Sequence, residues 1–265
     1  MVAHVHKGRC GMLHTVSKAG MILNLFSEKT PEWGVSELAK KLELPKSTVS
    51  EMMATLASLG LLERTNAGRY RLGWRLYELS QTLLDTSDFY PEAHRAMHEL
   101  VERWGETTSL AVLSGSQLVY VEKRPAAFAV YEMLERLNIH APAYGSSLGK
   151  VLLAHRKWDD VLELFKEQQL PALTPRTIVT LKDLKQELEQ VKRQGYAIDE
   201  EEVAVGVCGV SAPIYDLDGN VTASISLVLP TRRFHPQQES YAAIILKTAQ
   251  KISANIGYRP KKQNA

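Results

Sequence analysis

Apolar residues recur at helical spacing in three separate runs over the first sixty positions. Val16, Ala19, Ile22, Leu23 and Phe26 form the first run, which stops before Pro31. Val35, Leu38, Ala39 and Leu42 form the second, directly after Gly34. Glu43 and Leu44 then make a tight connection to Pro45, a residue suited to a first helical turn, where its missing N–H would have had no partner. Val49, Met52, Met53, Leu56 and Leu59 continue as a third stripe, and Gly60 stands where a left-handed C-terminal cap belongs. The period then changes. Leu61–Thr65 and Arg69–Leu72 read as two short strands joined by the turn residues Asn66-Ala67-Gly68.

Trp74 to Thr86 is helical in pattern, with Leu76, Leu79 and Leu83 along one side, and without glycine or proline it reads as a stiff connector. Ser87-Asp88-Phe89-Tyr90-Pro91 breaks the run. Beyond it the pattern predicts a helix at 91–104, strands at 108–114 and 117–123, and a third strand-like run from Phe128 to Leu134. Helices follow at 147–155, 158–168 and 181–194. Strands at 208–215 and 221–229 flank a strong hairpin turn at Asp216–Asn220, and a last amphipathic helix runs from Pro236 to Ile256. Hairpins with peripheral helices indicate an α+β protein with an antiparallel sheet, and not a doubly wound dinucleotide fold. The expected division is a helix-turn-helix domain at 1–73, a linker helix and junction at 74–90, a second domain at 91–258 and a tail at 259–265.

Composition narrows the class. At 265 residues, with 45% hydrophobic and 23% charged residues, the chain is long enough for two globular domains. It carries neither an N-terminal apolar run of the secretory kind nor a stretch of roughly 20 apolar residues fit to cross a bilayer. Its only cysteines are Cys10 and Cys208, too few for a disulfide framework, so the expected setting is the reducing cytoplasm. Residues 1–75 hold 11 Lys and Arg against 6 Asp and Glu, whereas the remainder holds 21 against 24. A small basic module joined to a slightly acidic one suggests that only the first part meets a polyanion.

The third helix opens with Lys46, Ser47, Thr48, Ser50 and Glu51 on the side away from its apolar stripe. Short hydrogen-bonding side chains there can approach base edges in a major groove. A β-hairpin after a helix-turn-helix is a wing, and Arg64, Arg69 and Arg71 are placed to meet phosphates. Double-stranded operator DNA is the partner this arrangement predicts.

Four stretches, in order, resemble the IclR family of bacterial regulators. They are Leu44–Val49 with Leu56–Leu62; Gly145-Ser-Ser-Leu-Gly-Lys-Val-Leu-Leu-Ala154; Gly195–Glu201 leading into Gly206–Ile214; and Ala223-Ser-Ile-Ser226. The resemblance runs from about residue 13 to 258. It implies a winged helix-turn-helix, a linker helix and a GAF-like effector-binding domain whose ligands are small organic or aromatic acids. It also implies a homodimer joined through the DNA-binding end, and a dimer of dimers. By motif matching it assigns Met133, Ala141, Ser147, Leu148, Asp199, Val207, Gly209, Ser226 and Val228 to the effector pocket. Many members have a pocket cysteine where this chain has Gly209. Cys208 lies one residue earlier, on the opposite face of a strand, so no pocket role is assigned to it. Val228 stands where some members have a second serine, which points to a less polar ligand than a bare two- or three-carbon acid.

Competing signals are weaker. Gly145-Ser146-Ser147-Leu148-Gly149 matches the nucleophile elbow of serine hydrolases, with Asp216 and His235 following in order. The elbow needs a buried strand before it, and Ile139–Ala143 with Pro142 is a poor one. Gly149-Lys150 lacks the rest of a phosphate loop. His94 and His98 stand at i, i+4, but residue 95 is arginine where a zinc protease needs glutamate, so they read as a surface pair. His140 is a lone histidine near the expected pocket. Glu200-Glu201-Glu202 reads as a solvated acidic turn. No cofactor and no metal are expected, and the reading is a regulator, not an enzyme. A winged helix used only for protein contacts is the remaining alternative.

Overall fold

The computed structural model describes residues 13–125, 142–166 and 169–260. The expected strand at 128–134, together with Met133, His140, Ala141 and Cys10, lies outside the described residues. The chain divides into two compact units at Thr86/Ser87.

The first unit contains helices α1 (His14–Leu23), α2 (Val35–Leu42), α3 (Lys46–Ser58) and α4 (Arg75–Asp85), and strands β1 (Glu32–Trp33), β2 (Leu62–Arg64) and β3 (Tyr70–Leu72). Ile22, Leu38, Val49, Met53, Leu56, Leu62 and Tyr70 close into one core, so one stripe from each of the first three helices meets the hairpin. Gly60 takes the left-handed conformation, φ +74°, that lets the chain turn out of α3. Three details differ from the sequence expectation. α1 ends at Leu23, before Phe26. Pro45 is the N-cap of α3 and not its first residue. A third strand, β1, pairs antiparallel with β3 (Trp33 opposite Tyr70), giving the order β1-β3-β2. With only two residues, β1 is too short to show a period of its own.

Among the described residues the second unit is built on a five-stranded antiparallel sheet ordered β5-β4-β8-β7-β6. Its strands are β4 (Thr107–Ser114), β5 (Gln117–Arg124), β6 (Ala197–Glu200), β7 (Val207–Tyr215) and β8 (Val221–Pro230). Its helices are α5 (Tyr90–Trp104), α6 (Ser147–Ala154), α7 (Trp158–Phe165), α8 (Leu181–Gln194), α9 (Thr231–Phe234) and α10 (Gln238–Asn255). One sheet face presents Leu110, Val210, Ala212, Ile214, Ile225 and Leu227 to Met97 and Leu100 of α5 and to Ile245 and Ile252 of α10. Each fully buried aliphatic there contributes about 1.5–3 kcal/mol of transfer free energy. The other face is covered by α6, where Leu148 and Leu152 pack on Ala111 and Leu118. α7 and α8 pack behind α6 around Val151, Phe165, Leu184 and Leu188.

The expected C-terminal helix is present as α10 and starts two residues late, at Gln238. α9 and a 3-10 turn (His235–Gln237) precede it; Pro236 has no N–H to donate within a helix, and Gln237, directly after it, leaves helical geometry with φ −133° as the N-cap of α10. β6 was not anticipated as a strand. Among the described residues no helix is long and apolar enough to cross a membrane.

Candidate functional site

Two surfaces collect the residues singled out by sequence, one in each unit. On α3, Lys46, Ser47, Ser50 and Glu51 are exposed and Thr48 is half-buried, while Val49, Met53 and Leu56 face the core. The first two turns of this helix therefore present small polar groups and one cation to solvent, the geometry a base-reading helix needs.

The three wing arginines are not equivalent. Arg69 donates to both carboxylate oxygens of Glu37, at 2.7 and 2.9 Å, and to the Glu32 carbonyl at 3.0 Å. Glu37 also accepts the Gly34 backbone N–H at 3.1 Å, capping α2. The Arg69 hydrogen bond, with the Gly34 bond beside it, holds the Glu37 carboxyl below its ordinary pKa. Arg69, one of the expected phosphate contacts, thus also fastens the start of β3 to the start of α2. Arg71 pairs with Glu63, its cross-strand neighbour, at 3.0 Å. Arg64 is exposed, lies 5.9 Å over the Tyr70 ring, and has no carboxylate partner among the described residues.

In the second unit the pocket candidates fall on the sheet face beneath α6. Two rungs of the sheet carry them: Asp199–Gly209–Val228 and, next to it, Ala197–Ser211–Ser226–Ser109. Ser147 is the first residue of α6, and Ser146 caps the helix by accepting the Gly149 N–H at 3.1 Å. The Ser211 hydroxyl donates to Ser147 Oγ at 2.7 Å, joining α6 to β7. Gly209 makes room for this contact, since a Cβ there would stand 2.8 Å from Ser147 Oγ and 3.7 Å from Asp199 Cβ. Gly149 likewise permits the backbone of Ala143 to pass at a distance that a Cβ would bring to 2.2 Å. Ser226 Oγ donates to the Ser109 carbonyl at 3.4 Å. Val207 is buried at the start of β7, and Leu148 is buried among the aliphatics under α6.

Asp199 is the buried ionisable group of this face. Its Oδ1 accepts the backbone N–H groups of Glu202 (2.7 Å) and Val203 (3.3 Å). Burial and the neighbouring Glu202 charge push its carboxyl up to about 7, although Lys150 and the two N–H bonds work against that rise. Tyr120 of β5 is pushed up to about 12 by burial and by the Asp199 charge.

Sequence reasoning missed Tyr120, Ser211 and Lys150. Ser211 follows from period 2 once Gly209 is placed, whereas Tyr120 depends on the pairing of β5 with β4. The acidic run was misjudged. Glu202 is 7% exposed and its Oε1 binds the Lys150 ammonium at 2.6 Å, so this part of the turn is buried, not solvated. Cys208 points into the opposite core with Val210 and Ile214, as the one-residue offset requires. The nucleophile-elbow reading finds no support in the geometry, since residues 143–145 form a turn and Ser147 Oγ is engaged by Ser211. His94 sits between Glu122 (2.9 Å) and Arg124 (3.0 Å), and His98 lies beside Glu102. Among the described residues no cluster of three metal-ligating side chains occurs.

Residues 15–66 match the IclR helix-turn-helix domain, and residues 81–254 match the bacterial transcriptional regulator IclR C-terminal domain. The chain is 33% identical over 246 residues to the HTH-type transcriptional regulator KdgR of Escherichia coli, covering 92% of this chain and 93% of that protein. It is 34% identical over 226 residues to the regulator XynR of the same organism, covering 84% and 88%. An IclR homologue from Microbacterium hydrocarbonoxydans, crystallised with 4-hydroxybenzoate, superposes with a TM-score of 0.77 at 26% identity, covering 91% of this chain and 98% of that one.

Proposed function

This chain belongs to the IclR family of bacterial transcriptional regulators, and from that premise we propose which of its residues read DNA, which bind the effector, and how the chain assembles. The protein is a DNA-binding regulator whose operator affinity responds to a small molecule bound by its C-terminal domain. Lys46, Ser47, Thr48, Ser50 and Glu51 meet the major groove, and Arg64 supplies the wing's phosphate contact. Arg69 holds the wing in place, and Arg71 reaches phosphate only by exchanging its Glu63 partner.

The effector lies against Ser147, Asp199, Gly209 and Ser226, with Ser211 and Tyr120 added to the contacts. The observation that carries this reading is that Ser147 of α6 and Asp199 of β6 both come within 4 Å of the place a Cβ of Gly209 on β7 would take. The 4-hydroxybenzoate bound to the Microbacterium homologue makes hydroxylated aromatic acids the first ligands to try. Ser147 serves as a ligand contact and not as a nucleophile, so purified protein should not turn over an ester substrate. The working compartment is the cytoplasm, where both operator and metabolite are found.

α4 buries none of its residues, and Tyr77, Leu79 and Leu83, with Trp74 at its N-cap, are all large, apolar in their bulk and exposed. A helix with an uncovered apolar stripe is an interface in waiting. We assign it to a homodimer, with a dimer of dimers as the further assembly. Sedimentation of Leu83→Glu against the unaltered chain tests this assignment, and an unchanged mass would remove it.

The functional reading is tested by a thermal-shift screen over small organic acids, followed by calorimetry of Asp199→Ala and Ser226→Ala with the strongest stabiliser. Both variants should lose affinity while ligand-free operator binding stays intact. Unchanged affinity in both would discard the site.

A further inference from the structure

Lys150 is one of the most deeply buried side chains of the protein, with 1% of its surface exposed. An ammonium that far from water is unfavourable unless it is paired and hydrogen-bonded. Here Nζ donates to Glu202 Oε1 at 2.6 Å and to Glu187 Oε1, from α8, at 2.9 Å. Burial works to lower the Lys150 pKa, but the two carboxylates overcome it and keep the group charged.

The pair joins the two elements that carry the effector site. Lys150 lies three residues beyond Ser147, one turn along α6. Glu202 supplies the backbone N–H that holds Asp199 Oδ1 at 2.7 Å. The turn between them is unusual, because Glu201 adopts a left-handed conformation, φ +60°, that non-glycine residues seldom take. Such a turn persists only where its surroundings over-determine it. Thr174 Oγ1 donates to the Glu201 carbonyl at 2.7 Å, and Thr177 Oγ1 to the Glu202 carbonyl at 2.6 Å. Thr231 Oγ1 donates to Glu201 Oε1 at 2.7 Å. The Lys150–Glu202 pair is the one ionic tie from this turn to α6 among the described residues.

The charge count makes the tie more than a clamp. Asp199, Glu202 and Glu187 set three carboxyl groups against a single ammonium, and Glu202 Oε2 has no hydrogen-bond partner among the described residues. The other ionisable groups near Asp199 are Tyr120 of β5 and the Cys208 thiol of β7, neither of which can neutralise it. Glu200, next to Asp199 on β6, is turned to Arg176 and His235 instead.

We propose that Lys150 is a positioning residue for the effector site: its ammonium, held between Glu202 and Glu187 behind Ser147, fixes the Asp199 turn against α6 and sets the charge that a ligand meets there. The inference rests on Asp199 being part of that site. It extends the reading by making a residue that touches no ligand decide whether Asp199 meets the ligand ionised, as an acceptor, or protonated, as a donor. The Asp199 carboxyl stands near the value where either state is accessible at neutral pH.

The test is a carbon-13 titration of the full-length protein labelled at aspartate Cγ, with the Asp199 signal identified by its loss in Asp199→Asn. Lys150→Met and Glu202→Gln break the same ion pair, but they remove opposite charges. Lys150→Met should raise the Asp199 midpoint by about one pH unit or more, and Glu202→Gln should lower it by a similar amount. Lys150→Arg should leave it near the original value. A purely structural tie would move the first two variants in the same direction, or neither, and either result overturns the proposal. Should Lys150→Met fail to fold, the double variant Lys150→Met/Glu202→Gln, which removes both charges together, replaces it and must return the midpoint above that of Glu202→Gln; a double variant no higher than Glu202→Gln overturns the proposal. No ligand enters this titration, so its failure removes the role of Lys150 alone, whereas calorimetry of Asp199→Ala judges the site itself.

Discussion

Arg69 and Glu37 are joined by two hydrogen bonds, at 2.7 and 2.9 Å, that fasten the wing strand β3 to the first turn of α2. This places the wing by a bond inside the protein. An arginine engaged in this way meets phosphate only by giving up its Glu37 partner.

The expected consequence is a split among the wing arginines. Arg64→Ala should weaken binding to all DNA sequences and flatten the dependence of log K on log salt by about one ion. Arg69→Ala and Glu37→Gln should each weaken operator binding with little change in salt slope, and the double variant should cost no more than the worse single one. Anisotropy titrations at several salt concentrations decide this. An Arg69→Ala slope that flattens as much as that of Arg64→Ala would return Arg69 to the phosphates.

Ser47 and Ser50 stand exposed in the first two turns of α3, away from the buried Val49 and Met53. Replacing either by alanine should alter operator preference by about 1–3 kcal/mol for each hydrogen bond to a base edge that it removes. Competition between the operator and single-base variants of it measures this; a uniform loss across all sequences would mean that these hydroxyls touch the backbone only.

Gly209 and Cys208 are neighbours with opposite expectations. In Gly209→Cys the new Cβ would stand 2.8 Å from Ser147 Oγ, so the Ser147–Ser211 hydrogen bond must give way and ligand affinity should fall. Cys208→Ser lies on the other sheet face and should leave ligand affinity unchanged, at some loss of thermal stability from a hydroxyl placed in the core. Equal effects on affinity would contradict the assignment of faces.

Asp199 also ties stability to pH. Its carboxyl is raised from the ordinary 3.8 to about 7, so between these values the folded chain holds a proton that the unfolded chain has released. Stability therefore falls as pH rises through that window, by up to roughly 4 kcal/mol, and levels off above it. Asp199→Asn should remove this slope and be more stable than the unaltered chain above pH 7. Thermal melts across the window check both the sign and the loss of slope.

The sequence made the helix-turn-helix, the hairpin and four of the five described strands of the second unit's sheet legible, because each carries a sustained period of its own. β1 and β6 escaped, one with two residues and the other with four, too short to show alternation. The candidate site was partly legible. Ser147, Asp199 and Gly209 came from matched motifs, and the structure brings them together. Lys150 and Glu202 did not stand out because a buried ion pair separated by 52 positions leaves no local pattern. The partner of Arg69 was hidden for the same reason: a cation in a hairpin looks free until a carboxylate 32 positions earlier is seen.

The central claim is that one small molecule, bound beside Asp199, alters the grip of α3 on DNA. The operator is selected from random duplexes, and the effector is taken from the thermal-shift screen. Operator dissociation constants are then measured with and without effector, for the unaltered chain and for Asp199→Ala. The account predicts that effector changes operator affinity of the unaltered chain by about 5- to 150-fold in one direction, and that Asp199→Ala binds the operator normally but no longer responds. An unaltered chain whose operator affinity is indifferent to saturating effector would contradict it.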